Sequence, residues 1–201
     1  MTTIIKYPEP LTDTSQCDLS KDVVLVACDG VKYKVSREAI AKESNLIKGM
    51  LPPPEDVASE VIEIPVSTAS AETLKYVVTF IEHNLLDPMP TIEKPLRHFL
   101  PEILDDWHKA YVYTDLVKGG DERQHQNLIA VMSTACFLEC KDLQELTCAA
   151  AASLIRLKDR VMVREKLFGL SGDFTEAEWN DVKRNHEWCF QEQPAPPAAK
   201  E

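Results

Sequence analysis

Residues 23–35 read VVLVACDGVKYKV, and the fold class turns on them. Residues 23–28 are a short β-rich run, Asp29-Gly30 is a hairpin turn, and residues 31–35 alternate with the period of a half-buried strand. Ser36 then stands where an N-cap belongs, for a short helix running through Glu43. Residues 45–51 place Leu46, Ile47, Met50 and Leu51 in another helical turn, which Pro52, Pro53 and Pro54 end. After an acidic loop, residues 61–64 form a third short strand. From Ser70 the period changes. Leu74, Val77, Val78, Ile81 and Leu85 line one helical face. Ile103, Leu104, Trp107 and Tyr111 mark a further helix, broken at 118–121. Helices are expected at about 124–137, 140–155, 160–168 and 175–187. The fold class is therefore α+β, with strands confined to about residues 23–65 and an all-helical half behind them.

The outer segments carry less. Residues 1–21, with Pro8, Pro10 and a Thr/Ser/Asp/Gln cluster, read as a flexible lead-in. The tail at 191–201 has nothing to bury and reads as disordered. A length of 201 residues with 44% hydrophobic and 27% charged content is ordinary for a globular chain with a sizeable core. Acids outnumber bases by 33 to 22, giving a net charge of −11. The first 50 residues balance, so all of the excess lies beyond them. Such a chain repels polyphosphate unless a basic patch is concentrated somewhere. The densest patch, Arg156, Lys158, Arg160, Arg164 and Lys166, is interrupted by Asp159 and Glu165 and reads as a solvated helix face. Nucleic acid is disfavoured as a partner. No run approaches the ~18 apolar residues of a membrane span, and the start lacks the pattern of a secretory signal. Without a CxxC pair, Cys17, Cys28, Cys136, Cys140, Cys148 and Cys189 are expected to be reduced, mostly buried thiols of a cytosolic or nuclear protein.

Catalytic patterns are sparse. There is no GxSxG, HExxH, P-loop or GxGxxG, and no glycine cluster to cradle phosphate. Cys136 and Cys140 lie on one helical face or at a helix junction, with His125 eleven residues before Cys136; a thiol or metal enzyme would have to be built from these three. Asp105-Asp106 and Asp121-Glu122 are sequence neighbours that point apart on a helix. No cofactor or metal is called for.

The end of the chain carries a stronger signal. Residues 168–189 read FGLSGDFTEAEWNDVKRNHEWC. Thr175 followed by Glu178 is a capping box, in which the hydroxyl accepts an amide proton three residues on and the carboxylate reaches back to the cap amide. Trp179, Val182 and His186 follow at helical spacing, His186 reading as packing or capping the helix end. Trp188 arrives as the helix runs out. Two tryptophans on a short terminal helix need cover, from the chain's own core or from a partner.

Three sets of residues carry a family resemblance: Asp173-Phe174-Thr175-Glu176-x-Glu178 with Val182, Asn185, Glu187, Trp188 and Cys189; Phe137-Leu138-Glu139-Cys140-Lys141-Asp142-Leu143 with Leu146-Thr147-Cys148; and Cys28-Asp29-Gly30 with Glu38, Ile40-Ala41-Lys42, Ser44, Ile47-Lys48 and Met50-Leu51. Trp107 adds to them. Over about residues 22–190 the chain resembles the S-phase-kinase-associated adaptor family, small acidic proteins that link F-box proteins to cullin scaffolds in SCF ubiquitin ligases.

The resemblance implies a BTB/POZ-like body at 22–138 followed by a C-terminal F-box-binding region at 139–190 that includes two added helices. It implies a non-enzymatic adaptor of the cytoplasm and nucleus. Its F-box contacts would be Leu143, Leu146, Phe168, Leu170, Phe174, Trp188 and Cys189. Its cullin contacts, and through the cullin a RING protein, would include Cys136 and Phe137. The family commonly has Asn-Tyr at that pair, so an amide and a phenolic hydroxyl are missing here. A structural subunit that binds F-box proteins without a cullin is the alternative. Arg160-Val161-Met162-Val163 replaces a more polar helix start, and an insertion surrounds Gly119-Gly120. An apolar F-box groove left open predicts weak self-association of the free chain.

Overall fold

The computed structural model describes residues 5–53, 61–117, 125–156, 158, 163 and 175–187. Two compact units divide the chain, Met1–Gly169 and Leu170–Glu201.

In the first unit the hairpin forms as its sequence dictates. Strands β1 (Asp22–Ala27) and β2 (Lys32–Ser36) pair antiparallel, with Val23 opposite Val35 and Leu25 opposite Tyr33. Gly30 takes the left-handed φ of 81° that the turn needs. Strand β3 (Ile62–Val66) pairs parallel to β1 on its other side, giving the order β2-β1-β3. The central position of β1 explains its unbroken apolar run: Val23, Val24 and Leu25 are all fully buried. Asp29 also serves the next element. Its Oδ2 accepts the Ala71 amide at 2.9 Å, joining the hairpin turn to the first turn of α3 (Ala71–Leu86).

Helices α1 (Arg37–Glu43) and α2 (Asn45–Met50) follow the hairpin, capped by the side chains of Ser36 and Ser44. Helix α3 is the hub, packing on α1, β2 and α6 (Gln126–Phe137). Leu74, Val77, Val78, Phe80 and Ile81 are fully buried along it. Asn84, near its end, is buried too and ties three elements together. The Asn84 amide donates to Glu43 Oε1 and, at 3.0 Å, to Asp142 Oδ2, while its oxygen accepts the Met89 amide at 2.6 Å. Helix α7 (Lys141–Ile155) packs on α6 and is the last α-helix described in this unit.

Several expectations change. The further helix around 103–111 is three pieces: α4 (Leu100–Ile103), α5 (Asp106–Ala110) and a π-helical turn, Tyr111–Leu116. The break has a local cause, because the Asp105 side chain accepts the His108 amide and starts a new helix. Several described residues of the lead-in are anchored. Leu11 N donates to Lys32 O at 2.7 Å, extending the sheet edge, and Thr14–Gln16 forms a 3₁₀ turn capped by Asp13. Tyr7 stands edge-on to Tyr76 at 5.6 Å, with the Lys75 ammonium 4.9 Å from its ring. Beyond the expected boundary at 138/139, α7 buries Leu143, Leu146 and Ala150 within the first unit.

Within the second unit the structure describes α8 (Glu176–Asn185). The capping box forms in full: Glu178 N donates to Thr175 Oγ1 at 3.4 Å, and Thr175 N to Glu178 Oε2 at 2.8 Å. The helix at 160–168 apart from Val163, the break at 118–121 and the tail at 191–201 lie outside the described residues.

Candidate functional site

The phase of α7 decides which of its side chains are open to contact. Leu143, Leu146, Thr147 and Ala150 are each fully buried and face α6 and α3. Leu143 and Leu146 are therefore core residues rather than the surface contacts expected for an F-box. They hold the helix in place, and the surface belongs to their neighbours. Lys141, Gln144, Cys148, Ala152 and Ile155 are exposed at spacings of three and four, an outward stripe along the whole helix.

Beside this stripe runs a cleft of about 520 Å³, bounded on its far side by residues 92–96. Ile92, Leu96, Cys148, Ala149 and Ala152 supply its apolar lining. Lys94 reaches across to Glu145, with Nζ 2.7 Å from Oε1, and sets a charged rim. Desolvation pushes the Cys148 thiol up, and Cys136 adds to the shift. At the end of the helix, Ile155 is 39% exposed, and the Arg156 guanidinium lies 5.3 Å from the centre of the exposed Phe99 ring. An open stripe of small apolar groups with polar residues at one end suits an amphipathic helix from another protein.

A second open surface forms where α6 ends. Cys136 is exposed and Phe137 is 44% exposed, whereas Leu138 and Cys140 turn into the core. The reversal runs through Glu139, whose φ of 53° is left-handed. Helix α2 fixes this turn: the Ser44 hydroxyl donates to the Leu138 carbonyl, and Asn45 N donates to Glu139 O at 3.4 Å. Met50, at the end of α2, is 58% exposed. Cys136 and Phe137, the expected cullin pair, are thus presented on a braced corner.

The thiol chemistry changes as well. Cys140 is buried, and desolvation, with Glu43 adding to it, pushes its thiol up to about 12, so it is not a ready nucleophile. With Cys136 exposed and Cys140 buried, the two do not share a face; they flank a helix junction. Burial pushes the His125 imidazole down. Among the described residues no three His, Cys, Asp or Glu side chains converge as metal ligands. The expectation of mostly buried cysteines fails among them too: Cys28, Cys136 and Cys148 are exposed and Cys17 is half-buried. Each exposed thiol sits at a turn, a helix end or on an outward helix face, where an apolar neighbour in sequence says little about burial.

In α8, Trp179 and Val182 are half-buried on one side of an otherwise exposed helix, and Lys183 lies 5.8 Å from the Trp179 ring centre. His186 caps this helix through its backbone amide, which donates to Val182 O at 3.0 Å. Of the other expected F-box contacts, Phe168, Leu170, Phe174, Trp188 and Cys189 lie outside the described residues.

Comparison with known proteins places this geometry. Residues 21–86 match the model of the Skp1 family tetramerisation domain, and residues 141–189 match that of the Skp1 family dimerisation domain. The S-phase kinase-associated protein 1 homolog of Tetrahymena thermophila is 31% identical over 171 residues, covering 85% of this chain and 95% of that protein. The chain belongs to the Skp1 family. Other Skp1-like relatives include the E3 ubiquitin ligase complex SCF subunit sconC of Talaromyces stipitatus, 28% identical over 85% of this chain and 98% of that protein. The same subunit of Arthroderma benhamiae is 29% identical over 83% of this chain and 94% of that protein. The tetramerisation region takes in the sheet, α1, α2 and α3, which together are the BTB/POZ-like body. The dimerisation region opens at Lys141, the first residue of α7, so the outward stripe lies wholly within it.

Sequence reasoning did not single out Gln144, Cys148, Ala152 and Ile155 as the outward side of α7. Their signal was available as helical phase: once 143, 146, 147 and 150 are assigned inward, these four must face out.

Proposed function

We propose that this chain is the adaptor subunit of an SCF-type E3 ubiquitin ligase, joining F-box substrate receptors to a cullin scaffold by binding alone. Ubiquitin transfer is then the work of the E2 and RING subunits, and the adaptor contributes proximity. The observation that carries the reading is the open stripe of α7, with its apolar cleft, inside the matched dimerisation region. The relatives named as SCF subunits support it over most of the chain.

In this reading Gln144, Cys148, Ala152 and Ile155 are F-box contacts, and so are the residues that the family resemblance implies, Phe168, Leu170, Phe174, Trp188 and Cys189. The cullin docks on the corner at Cys136 and Phe137. Left without an F-box, the same stripe drives weak self-association. The complex works in the cytoplasm and nucleus.

A second reading keeps the F-box and drops the cullin. It is favoured by the chemistry of the corner, where a thiol and a phenyl ring replace the family's amide and phenol and so offer two fewer strong hydrogen-bonding groups. Affinity purification of the tagged full chain, followed by mass spectrometry, separates the two. F-box proteins together with a cullin and a RING subunit are expected. F-box proteins alone favour the second reading, and recovery of none contradicts both.

A further inference from the structure

Where α5 meets the end of α3, two histidines and a tryptophan are packed in a way that docking does not require. The His83 ring stacks face to face on Trp107, with centroids 3.5 Å apart and planes inclined by 10°. Trp107 in turn lies parallel to Tyr111, at 5.2 Å and 9°. His108 is fully buried and stands edge-on to His83 at 5.4 Å, to Trp107 at 5.1 Å and to Phe80 at 6.0 Å. One side of His108 is accounted for, since its Nδ1 lies 2.5 Å from Asp105 Oδ2. The Nε2 atoms of both imidazoles are buried and have no hydrogen-bond partner among the described residues.

We propose that this junction is a proton-operated latch: when His83 takes a proton, its stack on Trp107 opens and α5 is released from the end of α3. The reason lies in what the added proton meets. A neutral imidazole can leave one nitrogen as an unpaired acceptor at modest cost. A protonated one carries two N–H donors and a charge, and at Nε2 that donor meets no acceptor among the described residues. The indole face offsets part of this cost as a cation–π contact.

The charged and titratable groups around His83 act in both directions. His108 beside it disfavours a positive charge on His83. Asp87, just past α3, and Asp105, at the cap of α5, favour one. Lys6, Glu82 and the Asp22–Lys34 ion pair line the groove that His83 and Trp107 share with the lead-in. Burial outweighs the acids and holds the His83 imidazole below its ordinary 6.5. A base whose value is lowered in the folded chain stabilises that state above its ordinary value and ceases to do so as pH falls. The latch is therefore closed at neutral pH and opens on acidification. Because the π-helical turn following α5 packs on α6, release is passed toward the helix that ends at Cys136 and Phe137.

The test uses the full chain carrying Trp179→Phe and Trp188→Phe, which leaves Trp107 as the single indole. Between about pH 7.5 and about pH 5.5 its emission shifts to the red, and amides of Asp106–Ala110 exchange about tenfold faster after correction for intrinsic rates. The amides of β1 keep their protection. His83→Phe, which keeps a stacking ring without a titratable nitrogen, abolishes both changes. Should that variant misfold, His83→Gln carries the same expectation. Emission and exchange that stay flat in the parent chain, or a transition of equal size in a folded His83 variant, would overturn the latch.

Discussion

Ser44 and Leu138, 94 residues apart in sequence, are joined by a buried hydrogen bond from the Ser44 hydroxyl to the Leu138 carbonyl. The same oxygen accepts the Ile47 amide at 3.1 Å and so caps α2. One hydroxyl therefore fixes both the start of α2 and the turn that follows Phe137. Ser44→Ala should cost about 1–3 kcal/mol, because it removes a cap and leaves a buried carbonyl unpaired. Urea denaturation measures the loss. A cost within error would mean that the corner is held by packing alone.

The two sides of α7 should answer differently to substitution. Leu143→Ala opens a cavity in the core and is expected to destabilise the chain by about 2–5 kcal/mol. Ala152→Arg adds a charge on the outward side and should leave stability within about 0.5 kcal/mol. It should weaken F-box binding at least about tenfold, as an obstruction at the centre of an interface does. Thermal unfolding together with titration calorimetry against a purified F-box domain checks both halves.

Helical phase also marks the limit of what was legible in the sequence. The hairpin was fully readable, because Asp29-Gly30 leaves one conformation for the turn and the alternation of residues 31–35 leaves one face for the core. Thr175 and Glu178 were readable for a similar reason, as a cap is a local interaction. Leu143 and Leu146 were misplaced because apolar character cannot separate a residue that seeks a partner from one that already has a core. The break at Asp105 was hidden by Ile103, Leu104, Trp107 and Tyr111, whose spacing fits one continuous helix. The anchoring of Tyr7 depends on Tyr76 and Lys75, far off in sequence, and no local pattern announces it. Cys148 looked buried among alanines, although its own position on α7 faces outward.

The corner at the end of α6 lends itself to a gain of function. Cys136→Asn with Phe137→Tyr supplies the amide and hydroxyl found in the family. Each hydrogen bond formed should add about 0.5–1.5 kcal/mol to cullin binding, roughly two- to twelve-fold. Surface plasmon resonance against an immobilised cullin N-terminal domain reads the change. No gain in the double variant would place the cullin contact elsewhere.

Glu43 sets a pH dependence of opposite sign to that of His83. Burial raises its carboxyl above the ordinary 4.5, with the Asn84 amide pulling it down and Asp142 pushing it up. For a carboxyl raised in the folded chain, the unfolded state loses its proton first as pH rises, so the folded state is progressively disfavoured from about 4.5 upward. Glu43→Gln keeps an oxygen for the Asn84 amide without the charge. It should be more stable than the parent at neutral pH, and the difference should vanish below about pH 4. Denaturation curves across that range give the comparison, and a gain independent of pH would refute the assignment.

The adaptor reading is tested most directly by reconstitution. The purified full chain, an F-box domain and a cullin N-terminal domain are mixed and resolved by size-exclusion chromatography with light scattering. A single ternary species is predicted, lost from its F-box side on Ala152→Arg and retained on Leu86→Asp, a change at an exposed residue of α3 outside the α7 stripe. A folded chain that elutes alone beside both proteins would contradict the account.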